Sequence, residues 1–325
     1  MDLSTTCFGK HLPHPLVVGA GPLCDDLDTV RALEDAGAAM LVLRSLYEEE
    51  IVAEQMDAFF NLDGHTDAFS EAGSFEVESE TSLGPDEYLE HLHRVKDAVG
   101  IPVIASLNGV TPGGWTSYAK LLEDAGADGL ELHLYHAASD MTMSAADVER
   151  QALDTLREVK RSVNMPVAVK LAPLLTAFAN FANQLDTAGA DGLVLFTRFH
   201  KADIDIEELE IVRSLPLSDS SDLSLRLRGT AALAGRVKAS LVITGGIHTG
   251  IDVIKATMAG AHATQMVSAL LRHGPDHLRT VRAEIESWMQ EHEWTSLDEM
   301  RGNMSLKRIP DPAAYERANF RMALR

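Results

Sequence analysis

Apolar residues in this chain gather into short continuous runs, and helical patterns separate one run from the next. "LVVGAG" (16–21), "PVIASLNG" (102–109), "PVAVKLAP" (166–173) and "LVITGG" (241–246) read as strands. Four further runs follow a repeated phrase: "EDAGAAMLVL" from Glu34, "EDAGADGLELHL" from Glu123, "DTAGADGLVLF" from Asp186 and "MAGAHATQMV" from Met258. Each phrase ends a helical stretch on Ala-Gly-Ala, where glycine supplies the positive φ of a helix end, and starts a strand at once. Continuous rather than alternating runs place both faces of a strand in the interior, as in parallel sheets. Eight β–α units predict one α/β domain over residues 1–325, a TIM (β/α)8 barrel with its core over about 14–291. A doubly wound sheet would need a glycine-rich phosphate turn after an early strand, and none stands there. Chemistry is therefore expected at the C-terminal ends of the strands. Outside the barrel the pattern predicts an N-terminal cap, a long loop 46–85 after strand two, a second long loop over Phe199–Arg228, and a C-terminal extension over 292–325.

The 325 residues are 46% hydrophobic, enough for one large core, and carry a formal charge of −21. That charge excludes the basic stripe of a nucleic-acid binder and disfavours anionic membranes. The loop 46–85 is rich in Asp and Glu and holds no Lys or Arg. Such a lid would suit a cationic substrate or a basic partner, although the Glu48–Glu50 run reads equally well as a solvated face. The two cysteines, Cys7 and Cys24, form no CxxC pair, which excludes a disulfide framework and a thiolate metal site. No apolar run approaches the roughly 18 residues of a membrane span, and no secretory signal pattern opens the chain. A cytoplasmic protein is expected.

Strand seven ends in "TGGIHTG" (244–250), where Gly245 and Gly246 let backbone amides approach an anion ahead of a helix. Strand eight ends in "QMVSALLRHG", which adds the Ser268 hydroxyl. A phosphate between these two loops is the usual placement in a barrel, against the plainer reading of a tight turn. Strand five carries Lys170 inside an apolar run, a costly place for a charge. It reads as a Schiff-base nucleophile, as a cation facing a phosphate-bearing cofactor, or as half of an ion pair. Strand four closes on "GLELHLYHAAS" (129–139) with two histidines. His136 is a candidate general base near neutral pH; with His133 and Asp140 it could hold a metal, but no spacing fixes a third ligand. Asn108 ends strand three at the catalytic mouth or caps a turn. Arg198 could meet a substrate carboxylate or pair with a loop carboxylate.

The order "GAGP", "VAVKLAP", "TGGIHTG", "QMVSALLRHGP" resembles the dihydroorotate dehydrogenase family of FMN-dependent TIM barrels. A divergent group within it is closest, sharing "ASLNGVTPGGW", "SALLRHGP" and "PDPAAYERAN". The resemblance implies FMN, with Ala20 and Gly21 against the flavin. It places Arg44, Asn108, His133 and Thr197 at flavin-contact positions, and Lys170 beside the flavin N1/O2 region. Gly245, Gly246, Ser268 and Ala269 would lie at the phosphate. His136 stands where the family keeps its Cys or Ser base, so His136 and Lys170 are the implied catalytic pair. His133 and Thr197 replace asparagines, Val267 replaces a phosphate-loop glycine, and the substrate loop "NSMGLPN" has no counterpart, only Asn61. The resemblance thus implies a hydride-transferring oxidoreductase on a small molecule other than dihydroorotate, and possible homodimers. Two alternatives stay open: a barrel that has lost flavin catalysis and serves as a partner subunit, and a flavin-free lyase using Lys170.

Overall fold

The computed structural model describes residues 1–53, 84–109, 113–136, 139–198, 203–212 and 216–323. Eight parallel strands close into a barrel: β1 Leu16–Val18, β2 Leu41–Tyr47, β3 Val103–Asn108, β4 Gly129–His133, β5 Val167–Leu171, β6 Gly192–Leu195, β7 Ser240–Thr244 and β8 Ala263–Met266. The helices α1 Leu27–Asp35, α2 Pro85–Ala98, α3 Tyr118–Asp124, α4 Ala145–Ser162, α5 Phe178–Thr187, α6 Leu223–Leu233, α7 Gly250–Ala259 and α8 His277–Glu291 separate or follow them. This is the predicted TIM (β/α)8 barrel, and every strand of the sequence pattern is present.

The repeated phrase acquires a physical meaning. In each copy the residue after Ala-Gly-Ala bonds back to the start of the preceding strand. The amides of Ala39, Asp128, Asp191 and His262 donate to the carbonyls of Leu16, Val103, Val167 and Leu241. The return bond comes from a side chain: Asp128 accepts from Val103 N and Asp191 from Val167 N, both at 2.8 Å, and His262 Nδ1 from Leu241 N at 3.0 Å. Ala39 cannot accept, and His14 Nδ1 takes the Leu16 amide instead at 3.3 Å. Carboxylates at the helix ends hold the next entries: Glu34 accepts from Gly100 N, Glu123 from Asn164 and Met165 N, Asp186 from Lys238 and Ala239 N. The sequence repeat is a belt of acceptors at the N-terminal end of the barrel, satisfying amides that burial would otherwise strand.

An N-terminal ribbon, Thr5–Cys7 paired with Lys10–Leu12, closes that end. Its Phe8 plugs the barrel axis and is 2% exposed, packed with Val17, Val42, Ile104 and Val242. Gly192 of β6 makes room for the plug, because a Cβ there would stand 2.1 Å from the Phe8 ring. A larger apolar cluster fills the layer between strands and helices.

The acidic stretch after β2, including Asn61, lies mostly outside the described residues; its first turn shows Glu50 accepting from Tyr47 N at 2.8 Å. The loop expected over Phe199–Arg228 is shorter than the pattern predicts. An exposed ribbon, Asp203–Asp205 with Glu210–Val212, occupies part of it, and α6 already starts at Leu223. Leu223 and Arg226 are buried there, and that tertiary burial overrides the polar local sequence. The C-terminal extension packs on the barrel: Gly302 and Met304 donate to the carbonyls of Thr257 and Met258 in α7, and Leu297 donates to that of Asp2. Among the described residues no helix is long and apolar enough to cross a membrane.

Candidate functional site

A cavity of about 720 Å³ opens at the C-terminal ends of the strands, within the size range of cofactor pockets. Strand alternation builds its wall. In β3, β4 and β5 the inward positions reach the mouth at one height, since Asn108 pairs in register with His133 and His133 with Lys170.

Its floor is a buried polar network. Lys170 Nζ donates to Glu131 Oε1 at 3.0 Å, and Gln265 Nε2 donates to Glu131 Oε2 at 2.6 Å. Glu131 is 0% exposed. Both carboxylate oxygens are engaged, so the charge of Lys170 is compensated from below while the ammonium faces the cavity. Gln265 gives its amide nitrogen to Glu131, which leaves its Oε1 buried and without a partner.

The side wall carries a second pair. Asn108 Nδ2 lies 3.0 Å from His133 Nδ1. With Asn108 as donor, the imidazole proton resides on Nε2, which is buried and unpartnered. Desolvation, and then the nearby Lys170 charge, lower the His133 pKa to about 3, so the ring is neutral at physiological pH. Tyr135 lines the same wall, its ring 5.8 Å from that of His133. Arg44 is held by Asp25 through Nη2, and through Nε at 3.2 Å. Thr197 and Arg198 extend the wall toward an adjoining cavity of about 440 Å³.

The β7 turn forms the far end. Gly245 and Gly246 adopt φ of +83° and +79°. A Cβ on Gly246 would stand 2.5 Å from Leu223 N, and one on Gly245 2.9 Å from the Arg226 guanidinium. Arg226, buried beneath, donates to the carbonyls of Thr244, Asp222 and Phe196, tying β6, β7 and α6 together. The amides of Gly245, Gly246 and Ile247 have no hydrogen-bond partner among the described residues. Ser268 faces them, its Oγ accepting from Ser218 N at 3.1 Å with its own proton free.

The cavity thus brings together Ala20, Gly21, Arg44, Asn108 and His133 with Lys170, Thr197, Gly245, Gly246 and Ser268. Two expected residues do not line it. Ala269 is fully buried in the short helix Ser268–His273. His136 lines a separate cavity of about 90 Å³ between α4 and α5, with Leu134, Val148 and Phe181. The cause is parity: residues 133 and 135 turn inward, and 134 and 136 turn toward the helices. Glu131, Gln265, Asp25 and Arg226 escaped the sequence reading. Glu131 left one signal, a carboxylate inside an apolar strand, the same oddity that marked Lys170.

A family model described as dihydroorotate dehydrogenase matches residues 2–289. The chain belongs to the dihydroorotate dehydrogenase family. Among its curated relatives is the dihydroorotate dehydrogenase B (NAD+) catalytic subunit of Thermoplasma volcanium, 25% identical, the match covering 94% of this chain and 99% of that one. The corresponding subunit of Methanocaldococcus jannaschii is 25% identical over 92% and 97%. The chloroplastic dihydropyrimidine dehydrogenase (NADP+) of Arabidopsis thaliana is 22% identical over 93% and 76%.

Dihydroorotate dehydrogenase-family proteins are FMN-dependent flavoproteins and oxidoreductases. The cavity fits that cofactor on three observations. The β7 turn presents three free amides beside a hydroxyl, suited to a phosphate. Two residues that line the floor and wall each keep a buried polar atom without a partner, the acceptor Gln265 Oε1 and the nitrogen His133 Nε2. The volume is sufficient. The space is tight beside β1: Val267 packs on Gly19 and Gly21, its methyl carbons 3.0 Å from where a Cβ on either would stand.

Proposed function

We propose that this chain is an FMN-dependent oxidoreductase acting on a small molecule other than dihydroorotate. The observation that carries the reading is the floor of the cavity: an ammonium and a fixed amide oxygen held side by side by one buried carboxylate, opposite a free amide turn. The amides of Gly245, Gly246 and Ile247 with the Ser268 hydroxyl would hold the FMN phosphate, and Lys170, Gln265 and Ala20 would border the ring. FMN, when bound, supplies a hydride acceptor or donor.

The chain's own groups do the rest. Lys170 places a positive charge at the floor, where negative charge gathers on reduction. His133 stays neutral and offers Nε2–H to an acceptor oxygen without adding a second positive charge beside Lys170. Tyr135 supplies a hydroxyl on the same wall for orienting substrate or relaying a proton, whereas His136 faces the helices. With Arg44 engaged by Asp25, and with His133 and Thr197 in place of amides, the wall lacks the donor and acceptor set that the family offers dihydroorotate.

Visible absorption of the purified protein with and without added FMN, followed by mass spectrometry of released ligand, tests this. A flavin spectrum at one equivalent per chain is expected. A colourless protein that ignores added FMN overturns the reading. It would favour a barrel without flavin chemistry, the reading that Val267 packed over Gly21 supports. A lyase that forms a Schiff base on Lys170 is disfavoured, because its amine donates to Glu131 rather than standing free.

A further inference from the structure

We propose that Glu131 is the positioning residue of this site: its carboxylate holds the Lys170 ammonium and the Gln265 amide facing the cavity, and its buried charge sets how strongly the site favours reduced over oxidised flavin. The inference rests on the flavin reading and goes beyond it, because Glu131 itself does not line the cavity.

Three observations carry it. Glu131 is 0% exposed at the barrel axis, one position below His133 on the inward face of β4. Both of its oxygens are committed, at 3.0 Å to Lys170 Nζ and 2.6 Å to Gln265 Nε2, residues on β5 and β8, 39 and 134 positions away in the chain. Both partners line the cavity and keep unused capacity: Lys170 has further ammonium protons, and Gln265 an unpaired Oε1.

A carboxylate in a water-poor interior could have been replaced by an apolar residue at little cost to stability. Its presence fixes two things that an apolar residue could not. The amide of Gln265 has one orientation only, its nitrogen on Glu131 and its oxygen turned away from the carboxylate. The ammonium of Lys170 meets the cavity as half of a neutral pair, so its pull on a negatively charged reduced ring is partly offset from below. Removing the negative charge while keeping the side-chain shape must therefore favour the reduced ring.

The test uses the FMN-loaded protein and its Glu131→Gln and Glu131→Asp variants. Their midpoint potentials are measured by photoreduction against a reference dye, and FMN affinity is measured alongside. Glu131→Gln should raise the ratio of affinities for reduced over oxidised FMN about tenfold, which for a two-electron couple is ~30 mV more positive. Glu131→Asp keeps the charge but withdraws it by one methylene, and should move the ratio the same way by a smaller factor. A merely structural role would change folding or affinity and leave the ratio unmoved. If Glu131→Gln does not fold, Glu131→Asp carries the test, with at least a threefold move expected. An unchanged ratio, or one that falls, with FMN still bound at one equivalent, overturns this proposal alone. Absence of FMN binding by the wild-type protein overturns the flavin reading and this proposal with it.

Discussion

Replacing Lys170 with Met probes the buried network by stability rather than by chemistry. The substitution keeps the length of the stem and removes the ammonium, which leaves Glu131 as a 0% exposed carboxylate with one remaining bond, that from Gln265 Nε2 at 2.6 Å. Breaking a buried ion pair from one side costs roughly 3–5 kcal/mol, most of it the desolvation of the charge left behind. The surviving amide bond and the open cavity above favour the lower end, so about 3 kcal/mol is expected, a loss of roughly two powers of ten in the folding constant. Glu131→Gln combined with Lys170→Met removes both charges and should recover at least half of that loss. Urea unfolding of the wild type, both single variants and the double variant reads the coupling directly. In the same samples, nuclear magnetic resonance titration should find the His133 pKa raised from about 3 but still below 6.5. Lys170 is the lesser cause of the depression, and desolvation, the larger, remains. A Lys170→Met protein within about 1 kcal/mol of the wild type would refute the network as a buried, mutually dependent pair. So would a double variant whose loss is the sum of the two single ones.

Two further outcomes follow from the closed end of the barrel. Gly192→Ala drives a methyl into the Phe8 ring and should destabilise the fold by about 2 kcal/mol; adding Phe8→Leu should restore part of it, and equal loss in both proteins would disprove the plug contact. His14, 2% exposed, has its pKa lowered to about 4, chiefly by desolvation, and it accepts the Leu16 amide. The folded state therefore binds fewer protons than the unfolded one between pH 6.5 and 4. Its contribution, of the order of 3 kcal/mol, is complete above pH 6.5 and lost as the pH falls toward 4. His262 is lowered to about 4 by the same cause, and His262→Asp, which restores the acceptor used by the other repeats, should flatten the acid limb of a stability-versus-pH curve. A curve unchanged in that variant would argue against the repeated acceptor belt.

The sequence by itself determined the architecture. Continuous apolar runs and four copies of Ala-Gly-Ala specify eight buried strands, because local pattern and helix-end chemistry act over a few residues and need no partner. The "TGGIHTG" turn was legible for the same reason: two adjacent glycines at positive φ are a local demand, even though Leu223 and Arg226, which forbid any other residue there, come from another helix. Lys170 was legible as an anomaly, but its meaning was not. Of the three readings open to it, the register of β4 against β5 supplied the ion pair with Glu131. His136 shows the limit from the other side. Its distance from His133 in sequence placed it beside the site by resemblance, yet the alternation of side chains across a strand turns it to the helices. A period of two decides which face a residue serves only once the closed barrel has fixed which face is inside.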